Sequence, residues 1–147
     1  MVARTAIIGL GIMGRRMLEH MLRHPGYQPV MLWDPDPQAC REALALAPDM
    51  CVATSADDAI ANADLVYLAC PPKPRKTYAL AAGREGKAVF LEKPLGVDVA
   101  ESEALVAAFR KSGVPAAVNF TQAAGAALTG VCNAARTGAL GELRGAD

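Results

Sequence analysis

What this chain of 147 residues lacks sets its first limits. It carries no net charge, because lysine and arginine total 15 and aspartate and glutamate also total 15. Nucleic acids and anionic membranes recruit a basic excess, and the local cluster KPRK at 73–76 is too short to supply one. The four cysteines, Cys40, Cys51, Cys70 and Cys132, form no CxxC pair and no metal-ligand spacing. Histidine is scarcer: His20 and His24 are the only two and share one helical stretch near the start, so no metal site is expected. No apolar run reaches the roughly 18 residues of a membrane span. The early run TAIIGLGIMG is broken by three glycines and lacks a signal-peptide cleavage pattern. A cytoplasmic protein with no membrane or nucleic-acid partner is the expectation.

What is present is globular in composition, with 52% hydrophobic and 20% charged residues, and long enough for one domain. Short apolar runs alternate with helical patterns, without internal repeat or low-complexity linker. Strands are expected over 5–10, 29–33, 50–54, 64–70, 87–92 and 115–120. Helices are expected over 14–24, 36–47, 55–62, 75–85, 98–112 and 122–136. Asp36 before Pro37, Ser55 before Asp58, and Asp98 before Glu101 mark helix starts, and Gly113 marks a stop. Alternation of this kind implies parallel pairing through right-handed crossovers, hence an α/β, doubly wound parallel sheet. Residues 1–121 are expected to form that domain, with 122–147 as a linking helix and the start of another. The chain ends at Asp147 just as a strand-like segment, ELRGAD, begins, and a second substrate domain is expected to be absent or truncated.

The chemistry gathers at the strand ends. GLGIMG at 9–14 places Gly9, Gly11 and Gly14 in the spacing GxGxxG, after a strand and at the opening of a helix. Gly9 permits a tight turn, Gly11 lets backbone approach a pyrophosphate, and Gly14 lets the helix pack on the strand. Ile12 and Met13 lie within the same phosphate loop, at the positive end of the helix. Asp34 follows the second strand, 20 positions after Gly14. A carboxylate there accepts hydrogen bonds from the ribose hydroxyls of NAD and repels the 2′-phosphate of NADP. Trp33 precedes it, either near the adenosine end or packed at the strand end. The fourth strand ends in ACPPKP, where Cys70, Pro71 and Pro72 suit a flat backbone wall along a cofactor. The fifth ends in LEKP. Lys93 there can place its ammonium near the nicotinamide and a substrate oxygen, orienting the substrate and stabilising charge on that oxygen, with Glu92 setting its position and protonation. A solvated Glu92–Lys93 charge pair is the equal alternative from spacing alone. Cys40, Cys51 and Cys132 are expected in the core, and Cys70 as a packed thiol.

These residues resemble the N-terminal domain of the Gfo/Idh/MocA oxidoreductases, which has the Rossmann fold. The likeness rests on GLGIMG, Asp34, ADLVYLACPP at 63–72, GKAVFLEKPLG at 86–96, SGVPAAVNF at 112–120 and TGALGELRGAD at 137–147. It implies hydride transfer between NAD, with NADP less favoured, and a sugar, inositol or related polyol, and gives Lys93 a catalytic or substrate-orienting role. It implies a homo-oligomer in the full-length form, and a general acid/base histidine beyond Asp147. Two departures stand out: Arg75 occupies a position after the double proline where a histidine is common, and NFTQAAG replaces a segment that often holds an arginine. Arg75 is thereby expected to line the crevice and Asn119 to lie near the nicotinamide. IGLGIMGRRM also resembles the opening of the β-hydroxyacid dehydrogenases, from which LEKP departs. A stand-alone NAD-binding regulatory module is the reading from outside enzymology.

Overall fold

The computed structural model describes residues 2–142. Six strands, β1 (Ala3–Ile8), β2 (Tyr27–Trp33), β3 (Cys51–Val52), β4 (Leu65–Leu68), β5 (Ala88–Glu92) and β6 (Ala116–Asn119), form one sheet in the order β3-β2-β1-β4-β5-β6. Every neighbouring pair runs parallel. Helices α1 (Ile12–Arg23), α2 (Pro37–Leu46), α3 (Ala56–Ala61), α4 (Pro72–Arg84) and α5 (Val99–Ser112) are the crossovers, and α6 (Ala126–Arg136) follows β6. This is the doubly wound α/β fold expected from the alternation, with its strand order reversing at β1 and β4.

The core divides by the two-residue period of the strands. Ala6, Ile8, Val66, Leu68, Val89 and Leu91 pack on one face with Ile60, Ala79, Leu105 and Phe109 from α3, α4 and α5. Ile7, Leu32 and Tyr67 pack on the other with Leu18, Met21, Cys40 and Ala43 from α1 and α2. Because both faces are covered, β4 reads as an apolar run instead of an alternation. Pro29 sits within β2, and the β1–β2 register shifts beside it, between Thr5 and Ala6, as a residue without an N–H requires.

The expected caps form: Asp36 accepts from Gln38 N, Ser55 from Asp58 N, and Asp98 from Glu101 N, while Gly113 closes α5 at φ 70°. Other boundaries differ. Helix α4 starts at Pro72, not near 75, because its first turn needs no N–H partner and accepts Pro72 and Pro74. Helix α6 starts at Ala126, after a turn, and buries none of its residues. Cys51 and Cys132 are exposed, against the expectation of core positions. The first lies on the two-residue edge strand β3 and the second on α6. Cys40 and Cys70 are buried as expected. Leu143–Asp147, most of the strand-like ELRGAD, fall outside the described residues.

Candidate dinucleotide and substrate site

The phosphate loop is built by close approaches that only glycine allows. Gly9 has φ +92°, and a Cβ there would meet the backbone N of Cys70 at 2.4 Å, so β1 and β4 converge on it. A Cβ on Gly14 would lie 1.8 Å from the Gly9 carbonyl oxygen, so α1 rests directly on the turn. At Gly11 a Cβ would meet nothing within 4 Å, which leaves the mouth of the loop open. Ile12 is exposed and Met13 half-buried beside it. Helix α1 has no side-chain cap and no acid in its first turn, whereas α2, α3 and α5 are capped by Asp36, Ser55 and Asp98. Free N–H groups at a positive helix end, faced by open space, fit a pyrophosphate.

Asp34, half-buried at the end of β2, ties this loop to the neighbouring strand. Its Oδ2 accepts from Leu10 N at 2.7 Å and its Oδ1 from Asp36 N at 2.9 Å. Arg15 holds the same residue from the other side, donating to the Leu10 carbonyl at 2.8 Å while pairing with Glu42 at 2.7 Å. Each carboxylate oxygen of Asp34 has lone-pair capacity left for a ribose hydroxyl. Trp33 meets Tyr78 of α4 edge to face at 5.6 Å between ring centres, which serves the strand-end packing alternative.

Across the crevice, the ends of β4, β5 and β6 share a buried polar cluster. Arg75, on α4 and 3% exposed, sends its guanidinium to backbone: Nε and Nη2 donate to the Cys70 carbonyl, and Nη1 to the carbonyls of Glu92 and Pro94. Arg75 thus stitches the strand ends together from below, instead of presenting its charge to the crevice. Burial lowers its pKa. Glu92, 4% exposed, does not pair with Lys93. Its Oε1 accepts from the Tyr67 hydroxyl at 2.5 Å and from Asn119 Nδ2 at 2.7 Å. Glu92 and Asn119 are register partners in the parallel β5–β6 pair, which puts their side chains on one face. Burial, with Glu92 adding, pushes the Tyr67 phenol far up, and burial lifts the Cys70 thiol to about 11 against the pull of Arg75.

Lys93 follows a buried residue and is itself exposed, with a cis peptide to Pro94. Among the described residues it makes no hydrogen bond or ion pair, and its side chain borders a hollow lined also by Phe120, Thr121 and Leu128. Pro71 precedes α4 and Pro72 opens it, at the end of the neighbouring strand β4. The site residues therefore fall into two groups. Gly9, Gly11, Ile12, Met13, Gly14 and Asp34 gather at β1 and β2; Cys70, Pro71, Pro72, Arg75, Glu92, Lys93 and Asn119 gather at β4, β5 and β6. Three strand spacings, about 14 Å, lie between the ends of β2 and β5, a span that an extended dinucleotide bridges, while Gly9 and Cys70 meet between them. Tyr67 and Arg15 were not anticipated. A tyrosine inside the otherwise aliphatic LVYL was the available signal for the first, and an arginine directly after GxGxxG for the second. His20 and His24 are exposed on and just after α1, away from both groups.

Residues 3–120 match a family model, GFO_IDH_MocA, described as an oxidoreductase family with an NAD-binding Rossmann fold. An inositol 2-dehydrogenase from Rhodococcus erythropolis is 35% identical over 108 residues, 71% of this chain and 31% of its own length. A crystal structure of GenD2 from gentamicin A biosynthesis, in complex with NAD, superposes with a TM-score of 0.72 at 27% identity, over 80% of this chain and 35% of that one. Myo-inositol 2-dehydrogenase from Lactobacillus plantarum shares the fold with a TM-score of 0.88 at 23% identity, over 97% of this chain and 43% of that one. The chain spans about a third of the length of the curated relatives it matches, 30% to 32%.

Proposed function

We propose, from the premise that this chain belongs to the GFO_IDH_MocA oxidoreductase family and carries its NAD-binding Rossmann domain, that it binds NAD in preference to NADP and serves the oxidation or reduction of a sugar, inositol or related polyol. The similarity to inositol 2-dehydrogenases supports the substrate class. The observation that carries the cofactor choice is Asp34. Its carboxylate is anchored by Leu10 N and Asp36 N at the end of β2, and among the described residues no basic side chain is bonded to it. A 2′-phosphate would bring a second anion against it, whereas the 2′-hydroxyl of NAD donates to it.

When bound, NAD supplies the hydride acceptor for the carbinol carbon. The chain's own residues do the rest. Open α1 N–H groups hold the pyrophosphate, Asp34 holds the adenosine ribose, and the Lys93 ammonium meets the substrate oxygen and stabilises the negative charge that develops on it. Residues 1–121 are the cofactor-binding unit in this reading, and 122–147 lead towards the substrate-binding part.

Titration of the chain with NADH and with NADPH, read by energy transfer from Trp33 to the reduced nicotinamide and by calorimetry, tests it. NADH should saturate and NADPH should bind at least about tenfold more weakly. Asp34→Ala should weaken NADH by roughly ten- to a hundredfold, as the loss of hydrogen bonds to a charged group implies, and narrow the difference. Equal affinity for both cofactors, or for neither, would overturn the assignment.

A further inference from the structure

We propose that Glu92 orients the Asn119 carboxamide so that Asn119 Oδ1 accepts a hydrogen bond from the carboxamide N–H of bound nicotinamide. The inference rests on the cofactor reading above and deepens it, from an Asn119 near the nicotinamide to the atom that bonds it and the residue that aims that atom. A side-chain amide has two faces of opposite chemistry, N–H₂ donating and C=O accepting, and its partners decide which faces where. Asn119 sits at the end of β6 in register with Glu92 at the end of β5. Glu92 Oε1 is an acceptor in a buried position, taking the Tyr67 hydroxyl at 2.5 Å and Asn119 Nδ2 at 2.7 Å. A carboxylate has no donor to offer, so the Asn119 N–H₂ group must face it. The Tyr67 hydroxyl, already given to Glu92, leaves that arrangement unchallenged.

The consequence is that Asn119 Oδ1 is turned away from the cluster. Its partner among the described residues is the Thr121 hydroxyl at 3.4 Å, a long contact that leaves a lone pair unused. Asn119 is half-buried, so this weakly met acceptor keeps capacity for a stronger donor brought by a ligand. It lies on the β4–β5–β6 side of the crevice, the half opposite Asp34, where the nicotinamide end of a dinucleotide falls once its adenosine ribose is at Asp34. The group that end presents is a carboxamide with two N–H donors. Glu92 is in this sense a positioning residue, acting on the cofactor through Asn119 and not on Lys93.

The test uses NAD and 3-acetylpyridine adenine dinucleotide, whose acetyl group keeps the carbonyl and lacks the N–H donors. By calorimetry the wild-type chain should favour NAD by about fivefold, the factor that one net hydrogen bond supplies. Asn119→Ala should remove most of that preference. Glu92→Gln should do the same without shortening any side chain, because a glutamine can donate as well as accept and lets the Asn119 amide turn. Failure of the wild type to bind either dinucleotide would overturn the cofactor reading and this proposal together. Equal binding of both would overturn the proposal alone, as would a preference that survives in Asn119→Ala or in Glu92→Gln. Should Glu92→Gln not fold, ¹⁵N NMR of the wild type decides. One Asn119 Nδ2 proton should be protected from exchange by its bond to Glu92, and two freely exchanging protons would overturn the orientation.

Discussion

Glu92 and Lys93 are chain neighbours in opposite environments. The first is 4% exposed and holds Tyr67 and Asn119, while the second stands in the open with no partner among the described residues. Pairing between them would have tethered the ammonium; its absence leaves Lys93 available to a substrate oxygen. Under the proposed function, Lys93→Ala in a chain that carries the substrate-binding part should lower turnover of a polyol by roughly 10²- to 10⁴-fold, with NADH affinity near the wild-type value. Steady-state kinetics alongside the binding titration separates the two, and a loss confined to NADH affinity would remove the lysine from the chemistry. The buried cluster also makes a pH prediction. Burial lifts the Cys70 thiol from an ordinary 9.0 to about 11, and Tyr67 is raised further. As pH rises the unfolded chain loses these protons first, so the stability they contribute is intact below about pH 9 and is lost as pH climbs through 11. The melting temperature should fall over that interval, and Cys70→Ala should flatten the fall measured by circular dichroism. An unchanged slope in that variant would mean that other groups carry it.

At the scale of elements, α1 and its loop make the sharpest contrast. A Cβ at Gly14 would lie 1.8 Å from the Gly9 carbonyl oxygen, so Gly14→Ala must push the helix off the strand it rests on. Overpacking of this kind costs about 1–3 kcal/mol and should lower the melting temperature by roughly 3–10 °C. Gly11→Ala adds its methyl to open space. That variant should melt like the wild type and lose affinity for NADH, since the methyl stands where the phosphate approaches. A calorimetric scan and a titration of both variants check the pair; a stable Gly14→Ala would contradict the packing. The alternation of strands with helices and the caps at Asp36, Ser55 and Asp98 were legible in the sequence because each rests on a local rule: apolar runs, an oxygen-bearing cap, a glycine stop. The partner of Glu92 was not legible. It depends on the β5–β6 register and on Tyr67 reaching across from β4, and both are set by tertiary pairing. The inward turn of Arg75 was hidden for the same reason. Its carbonyl partners belong to Cys70, Glu92 and Pro94, residues that the chain brings together only when β4 and β5 align. Cys51 and Cys132 misled because apolar neighbours in sequence do not say whether an element is central or peripheral.

For the whole molecule, the question is which residues the folded unit needs. The five crossover helices bury side chains against one face of the sheet or the other, and α6 buries none. Leu128 is 45% exposed, Val131 57% and, just before the helix, Phe120 59%. An 11-residue helix without tertiary packing is marginal by itself, so α6 contributes little to the stability of the sheet that precedes it. The site residues agree with that division, since Asn119 and its Thr121 contact lie before position 122. A chain ending at Thr121 should keep the fold, with stability within about 1 kcal/mol and a melting temperature within roughly 2–4 °C of the parent. It should also bind NADH as the parent does. Circular dichroism melts and the same titration measure both quantities. A large drop in melting temperature would mean that α6 braces the sheet despite its exposure, and the boundary would move to the end of that helix. Retained stability with lost NADH binding would instead place a cofactor contact in 122–136, on the hollow that Lys93 shares with Leu128.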